Sequence, residues 1–257
     1  GFMKNIIKRL QSSNSTYYLI SLLISLSIFF LLLSSNPSPY ISQVIGSNWP
    51  IILPISLILF FLAFKLPDRL NLILGLSLTL ALCAFDLLHL WNSSASDNII
   101  IGGLIPYKDT QDYFFAADLL LNGIRVPVYA LSAARPFYSG FLSFFLFLTN
   151  SNLQLALSLI AALIGTVIFF TARKVKQYFG AASATIFATL MFFYAKTYFG
   201  YAMTETAGII FGCIALYFFL NSANSKNLSS FLLGLVMLTV ALFIRPGAFF
   251  VLPALII

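Results

Sequence analysis

Residues 199–220 read FGYAMTETAGIIFGCIALYFFL, an apolar run from Thr206 to Leu220 with one acid, Glu205, at its head. A membrane-crossing helix needs roughly 20 apolar residues, and fewer where flanking residues reach the interface. The same reading repeats along the chain at Tyr17 to Leu33, Trp49 to Phe64, Leu70 to Leu90, Leu153 to Thr171, Ala181 to Thr197 and Leu228 to Ile244. Arg245-Pro246-Gly247 then interrupts before Ala248 to Ile257. Pro50 and Pro54 lie near the start of the second run, where proline is tolerated, and Trp49 suits a membrane interface.

Composition agrees with this reading. Hydrophobic residues make up 60% of the 257, charged residues 8%, and 28 are Phe; mean hydropathy is +0.98. A soluble domain of this size has too little polar surface to cover such a chain, so the expected fold is all-α, a polytopic transmembrane helix bundle. The net charge of +7 does not indicate nucleic acid, because the basic residues lie in short segments between apolar runs, where they orient spans. Cys83 and Cys213 each fall inside an apolar run and read as small hydrophobic residues. The chain begins Gly1-Phe2-Met3 and stops inside VLPALII, which reads as the opening of another span and hence as the N-terminal part of a longer protein.

Charge sets the expected sidedness. Phe137 to Leu148 is only about a dozen residues long, short for a span and suited to a re-entrant or interfacial helix. If it does not cross, Lys4, Lys8, Arg9, Lys65, Arg69, Arg173, Lys174, Lys176 and Lys226 share one side with Asp68 alone. If it does cross, the RKVKQYFG loop is forced outside, against the positive-inside rule. The first arrangement leaves Asp109, Asp112 and Glu205 together on the non-cytoplasmic face. Three regions follow: 1–90 with three spans, 91–152 as an external loop carrying the acids and a short interfacial helix, and 153–257 with the later spans.

An acid at a span boundary is costly unless it is used or paired, which singles out Glu205; it also suits the N-terminus of the helix that follows. Asp109 and Asp112 read as a candidate catalytic pair, or as solvated acids capping the helix into YFFAADLL. Asp86 and His89, three residues apart on one helical face, make a local polar pair before they make a metal site. Arg245 reads as a phosphate contact or as a side chain snorkelling to the interface. Gly208 and Gly212 form a helix-packing step, and Asn92-Ser93-Ser94 matches a glycosylation acceptor.

Asp109, Tyr113, Ala116 and Ala117 form the pattern D-x-x-x-Y-x-x-A-A, followed by LLLNG, ARPFYSGF, GYAMTE and FIRPGAFFVLPAL. In this order, from about Ile101 onward, the chain resembles the GT-C superfamily of membrane glycosyltransferases, which includes protein O-mannosyltransferases and aminoarabinose transferases. The resemblance implies a GT-C-like bundle with a large external loop carrying short helices. It also implies transfer of a sugar from a polyprenyl-phosphate donor to a lipid, glycan or protein acceptor at the cell envelope. Asp109, with Asp112 beside it, takes the position of the family's catalytic acid. Glu205 matches the second acid, as a metal or acceptor-orienting ligand for a divalent ion such as Mg or Mn. Arg245 matches a donor-phosphate contact, with Lys196 as a second cation. The chain departs from the family in having two spans before the one that leads into the acidic loop, and Thr204-Glu205 in place of paired acids.

The residue types suit that chemistry. A carboxylate beside an attacking hydroxyl or amine acts as general base, and a departing phosphate needs positive charge. A membrane transporter or lipid flippase is the competing class, in which intramembrane acids bind substrate or protons. Membrane lipids are partners under either reading.

Overall fold

In hydrocarbon each backbone N–H and C=O must find its partner within the chain, so apolar runs fold as helices. The computed structural model describes residues 13–35, 44, 49–93, 109–127, 135–225 and 227–245, and no strand occurs among them. The helices are α1 (Ser13–Ser35), α2 (Trp49–Lys65), α3 (Leu76–Ser93), α4 (Asp109–Leu121), α5 (Pro136–Leu148), α6 (Leu153–Lys196), α7 (Thr204–Ser225) and α8 (Leu228–Ile244). Stretches Thr16–Ser35, Asp68–Asn92, Leu153–Lys196 and Thr204–Ala223 are long and apolar enough to cross a membrane, consistent with a membrane protein. Helices α2 and α8 each have 17 residues, about 25 Å at 1.5 Å per residue. Expectations for Ala248 to Ile257 and for Lys4, Lys8, Arg9 and Lys226 lie outside the described residues.

The turn from α2 into α3 shows how a polar residue is accommodated inside the bundle. A helical turn at Asp68–Leu70 and a π-helical turn at Asn71–Gly75 lead into α3. Asn71 is fully buried, and its amide donates to the carbonyl of Ala63 at 2.8 Å. That carbonyl belongs to the last turn of α2, where helix carbonyls lack intrahelical partners.

The segment from Leu153 to Lys196 corrects one expectation. RKVKQYFG is not a loop: helix continues through Arg173, Lys174 and Lys176, and the only break is Gly180, at φ 83° and ψ 175°. Such a φ favours glycine, which has no Cβ to clash. The two apolar runs are therefore legs of one broken helix. On the first leg Gly165 crosses α3 so closely that a Cβ would lie 2.8 Å from Leu80 Cδ2 and 3.0 Å from Cys83 Sγ, a small-residue contact of the kind that holds membrane helices together. That leg ends with Lys176 beside Asp68, whereas the second ends with Lys196 beside Asp86. Asp68 and Asp86 are about 27 Å apart along a helical rise of 1.5 Å per residue, so the chain turns back at Gly180.

These contacts give the bundle two chemically distinct ends. At one, Tyr17 donates to the Arg69 carbonyl, Arg173 to the Tyr18 hydroxyl, Lys174 to Asn221, and Lys176 to the Leu66 carbonyl. The first leg of α6 runs toward this end, and the second leg returns to the other. There α7 begins and α8 finishes, and α4 and α5 pack together. Helix α5 has 13 residues, about 20 Å, against a hydrocarbon thickness of about 30 Å. Its link to α6 is a tight reversal: Asn150 and Ser151 have φ of 52° and 62°, and the Asn152 side chain caps α6 by accepting from Leu155 N at 3.0 Å.

Candidate functional site

Glu205 stands in the first turn of α7, where the unpaired N–H groups and helix dipole favour a carboxylate. It is 9% exposed, and Thr204 and Thr206 beside it are buried. Its Oε2 accepts from the Thr204 hydroxyl at 3.1 Å, and its Oε1 pairs with the Arg245 guanidinium. Arg245 comes from the end of α8, where its own N–H closes the last turn on the Ala241 carbonyl. The next residue in sequence is Pro246, and a residue before proline is driven out of the helical region. Arg245 accordingly leaves the helix at φ −137° and ψ 96°.

Arg135 repeats this arrangement. It precedes Pro136, stands just outside α5 at φ −136° and ψ 58°, and donates to the Tyr113 hydroxyl at 2.7 Å and to Thr204 Oγ1 at 3.4 Å. A continuous polar chain results, from Tyr113 through Arg135, Thr204 and Glu205 to Arg245. It joins α4, the start of α5, the start of α7 and the end of α8. Tyr113 packs edge-on against Tyr138 with ring centroids 5.0 Å apart. Burial pushes the Tyr113 phenol above its usual range, and Arg135 partly offsets this; Tyr113 therefore stays neutral as the acceptor of the guanidinium.

Asp109 and Asp112 both lie in the exposed first turn of α4. Asp109 lies one helical turn before Tyr113 and, like Glu205, is close enough to act electrostatically on it. Asp112 makes no contact that ties it to the network. Lys196 is committed elsewhere: its ammonium lies 3.5 Å from Asp86, with side chains 12% and 3% exposed, and over the Phe193 ring. The polar partner given to Asp86 is thus a lysine from α6. Its Oδ2 is buried without a hydrogen-bond partner.

A cavity of about 570 Å³ opens beneath Glu205 and Arg245 between α6, α7 and α8. Its walls are apolar, including Phe187, Met191, Ile209, Leu216 and Leu238, with Tyr194 near the ion pair. An arginine at the head of an apolar cleft can hold an anion whose remainder is hydrophobic. Gly208 and Gly212 line this cavity; a Cβ at Gly212 would meet nothing within 4 Å and one at Gly208 only the Arg245 Cβ at 4.0 Å, so the small-residue step in α7 opens space here and is not the close helix contact expected from sequence. Among the described residues, no three His, Cys, Asp or Glu side chains form a group that could hold a metal ion. Glu205 already carries the Arg245 guanidinium on Oε1 and the Thr204 hydroxyl on Oε2, so a divalent ion at this carboxylate would meet the repulsion of Arg245.

Arg135 was legible only as one of two Arg-Pro dipeptides, each placing a guanidinium at a helix boundary. Thr204, which stands where a second acid would complete a pair, connects the two halves of the network. No protein-family profile, curated protein or solved structure matches the chain.

Proposed function

We propose that this chain is a GT-C-like membrane glycosyltransferase that moves a hexosyl or pentosyl group from a polyprenyl-phosphate donor to a lipid, glycan or protein acceptor. The observation that carries this reading is the apolar cavity of about 570 Å³ headed by Glu205 and Arg245. A donor with an isoprenoid tail and a phosphate head has the same division of character. Arg245 would hold the phosphate, with Arg135 behind it through Thr204. Asp109 would accept the proton of the attacking hydroxyl or amine as the new bond forms at the anomeric carbon. The sugar–phosphate bond breaks in the same step, and the phosphate leaves with its electron pair, facing the arginines. Lys196 belongs to the frame in this reading, pinned to Asp86, and no step runs through a metal.

The positive-inside rule would put this end of the bundle on the non-cytoplasmic face; low charge makes a bacterial inner membrane the default, with this face toward the periplasm or exterior. The binding half is tested with the full-length protein in nanodiscs. Polyprenyl phosphate should bind at least tenfold tighter than the matching polyprenol, and Arg245→Gln should erase the difference. Equal binding of the two lipids to the wild-type protein would sink the phosphate assignment.

The buried Asp86–Lys196 pair favours one alternative, a transporter or lipid flippase, because ionisable groups within a bundle mark ion and substrate paths. Flux across proteoliposomes that is abolished by Asp86→Asn, without any sugar transfer, would select it.

A further inference from the structure

The basic end of the bundle holds a second pocket, about 230 Å³ in volume, lined by Tyr18, Phe170, Arg173, Lys174, Gln177 and Tyr217. That volume corresponds to about eight waters at roughly 30 Å³ each. No acid lines it. Arg173 is 8% exposed, yet it takes part in none of the three ion pairs found among the described residues. Among the described residues its hydrogen bond and its ring contact are both with Tyr18, at 3.3 Å to the hydroxyl and 5.5 Å to the ring. A buried guanidinium with five donors and no counter-ion is expensive unless an anion completes it. Lys174 stands beside it with only neutral partners, Asn221 Oδ1 at 3.1 Å and the Tyr217 ring at 5.4 Å. Because Tyr18 accepts from Arg173, its own O–H is left to donate to a third group.

We infer that this pocket binds a phosphate group, and that its source is the headgroup of an anionic phospholipid. Basic pockets between membrane helices suit such headgroups. Tyr18 is 43% exposed, and Leu19 and Leu23 on the same helix are 54% and 56% exposed, so the helix that carries Tyr18 also offers apolar surface to acyl chains. Lys65, Arg69 and Lys176 lie at the same end, with Asp68 the only acid described there. The pocket shares no lining residue with the cavity headed by Glu205, and it lies far from that cavity's ion pair. Tyr217 is twelve residues further along α7, about 18 Å at 1.5 Å per residue.

The test uses the full-length protein, delipidated in neutral detergent and followed by thermal unfolding. Added phosphatidylglycerol should raise the midpoint saturably, and phosphatidylcholine should not. Lys174→Gln and Arg173→Gln should each weaken the apparent affinity about tenfold, while Lys65→Gln leaves it unchanged. If Arg173→Gln does not fold, Lys174→Gln alone carries the test, since that side chain is only partly buried. Saturation by inorganic phosphate with the same loss in Lys174→Gln would keep the phosphate site and reassign its source to a soluble ester. Equal effects of the two lipids with none from inorganic phosphate, or equal losses in Lys65→Gln, would overturn the proposal.

Discussion

Glu205 and Arg245 meet across the open end of the α7–α8 hairpin, one in the first turn of its helix and the other just past the last turn of its partner. The pair closes the hairpin and heads the cavity, so under the proposed function stability and donor binding would be coupled through one contact. Replacing either residue leaves the other facing an apolar cavity. We expect Glu205→Gln and Arg245→Gln each to lower the unfolding midpoint, and the double replacement to lower it by less than their sum. The coupling should be about 1–2 kcal/mol, given that Arg245 is partly exposed. Strict additivity in a double-mutant cycle would mean that the contact contributes nothing.

Asp86 and Lys196 are more deeply buried. Lys196→Met strands a carboxylate in the bundle and should cost about 3–5 kcal/mol, whereas Asp86→Leu with Lys196→Met should be close to neutral. Denaturation of the two variants in the same detergent checks this, and a double variant as weak as the single would contradict it.

Gly165 has no room for a side chain against Leu80 and Cys83. Gly165→Ala should destabilise by about 1–3 kcal/mol through overpacking, and Leu80→Ala in the same chain should recover part of the loss. Recovery is read from expression and melting of the pair against each single variant.

Glu205 already holds the Arg245 guanidinium, whose charge disfavours a second cation at the same carboxylate. Treatment with a chelator should therefore change sugar transfer less than threefold, while Arg245→Gln should reduce it at least tenfold. Loss on chelation restored by added Mg or Mn would return Glu205 to the ligand role that the resemblance suggests.

Most of the helices were legible because membrane helices announce themselves by length and hydropathy alone. The stretch Arg173–Lys176 was not, since its charges look like a loop. In the folded chain Arg173 lies under Tyr18, while Lys174 and Lys176 reach side-chain and backbone acceptors without interrupting the helix. Glu205 stood out as an acid beside an apolar run. The partners of Arg135 did not, because Tyr113 and Thr204 are 22 and 69 residues away and nothing local links them. The Asp86–Lys196 pair was hidden for the same reason: it forms only once the chain has turned back at Gly180.

The most direct test of the proposed chemistry is sugar transfer by the full-length protein in proteoliposomes, from a labelled polyprenyl-phosphate sugar to endogenous acceptors, compared with Asp109→Asn. Asp109 is exposed in the first turn of α4, so this replacement should leave folding intact. If it is the general base, transfer should fall by about 10²–10⁴-fold while donor binding is retained. Unchanged transfer by a well-folded Asp109→Asn protein would contradict the assignment.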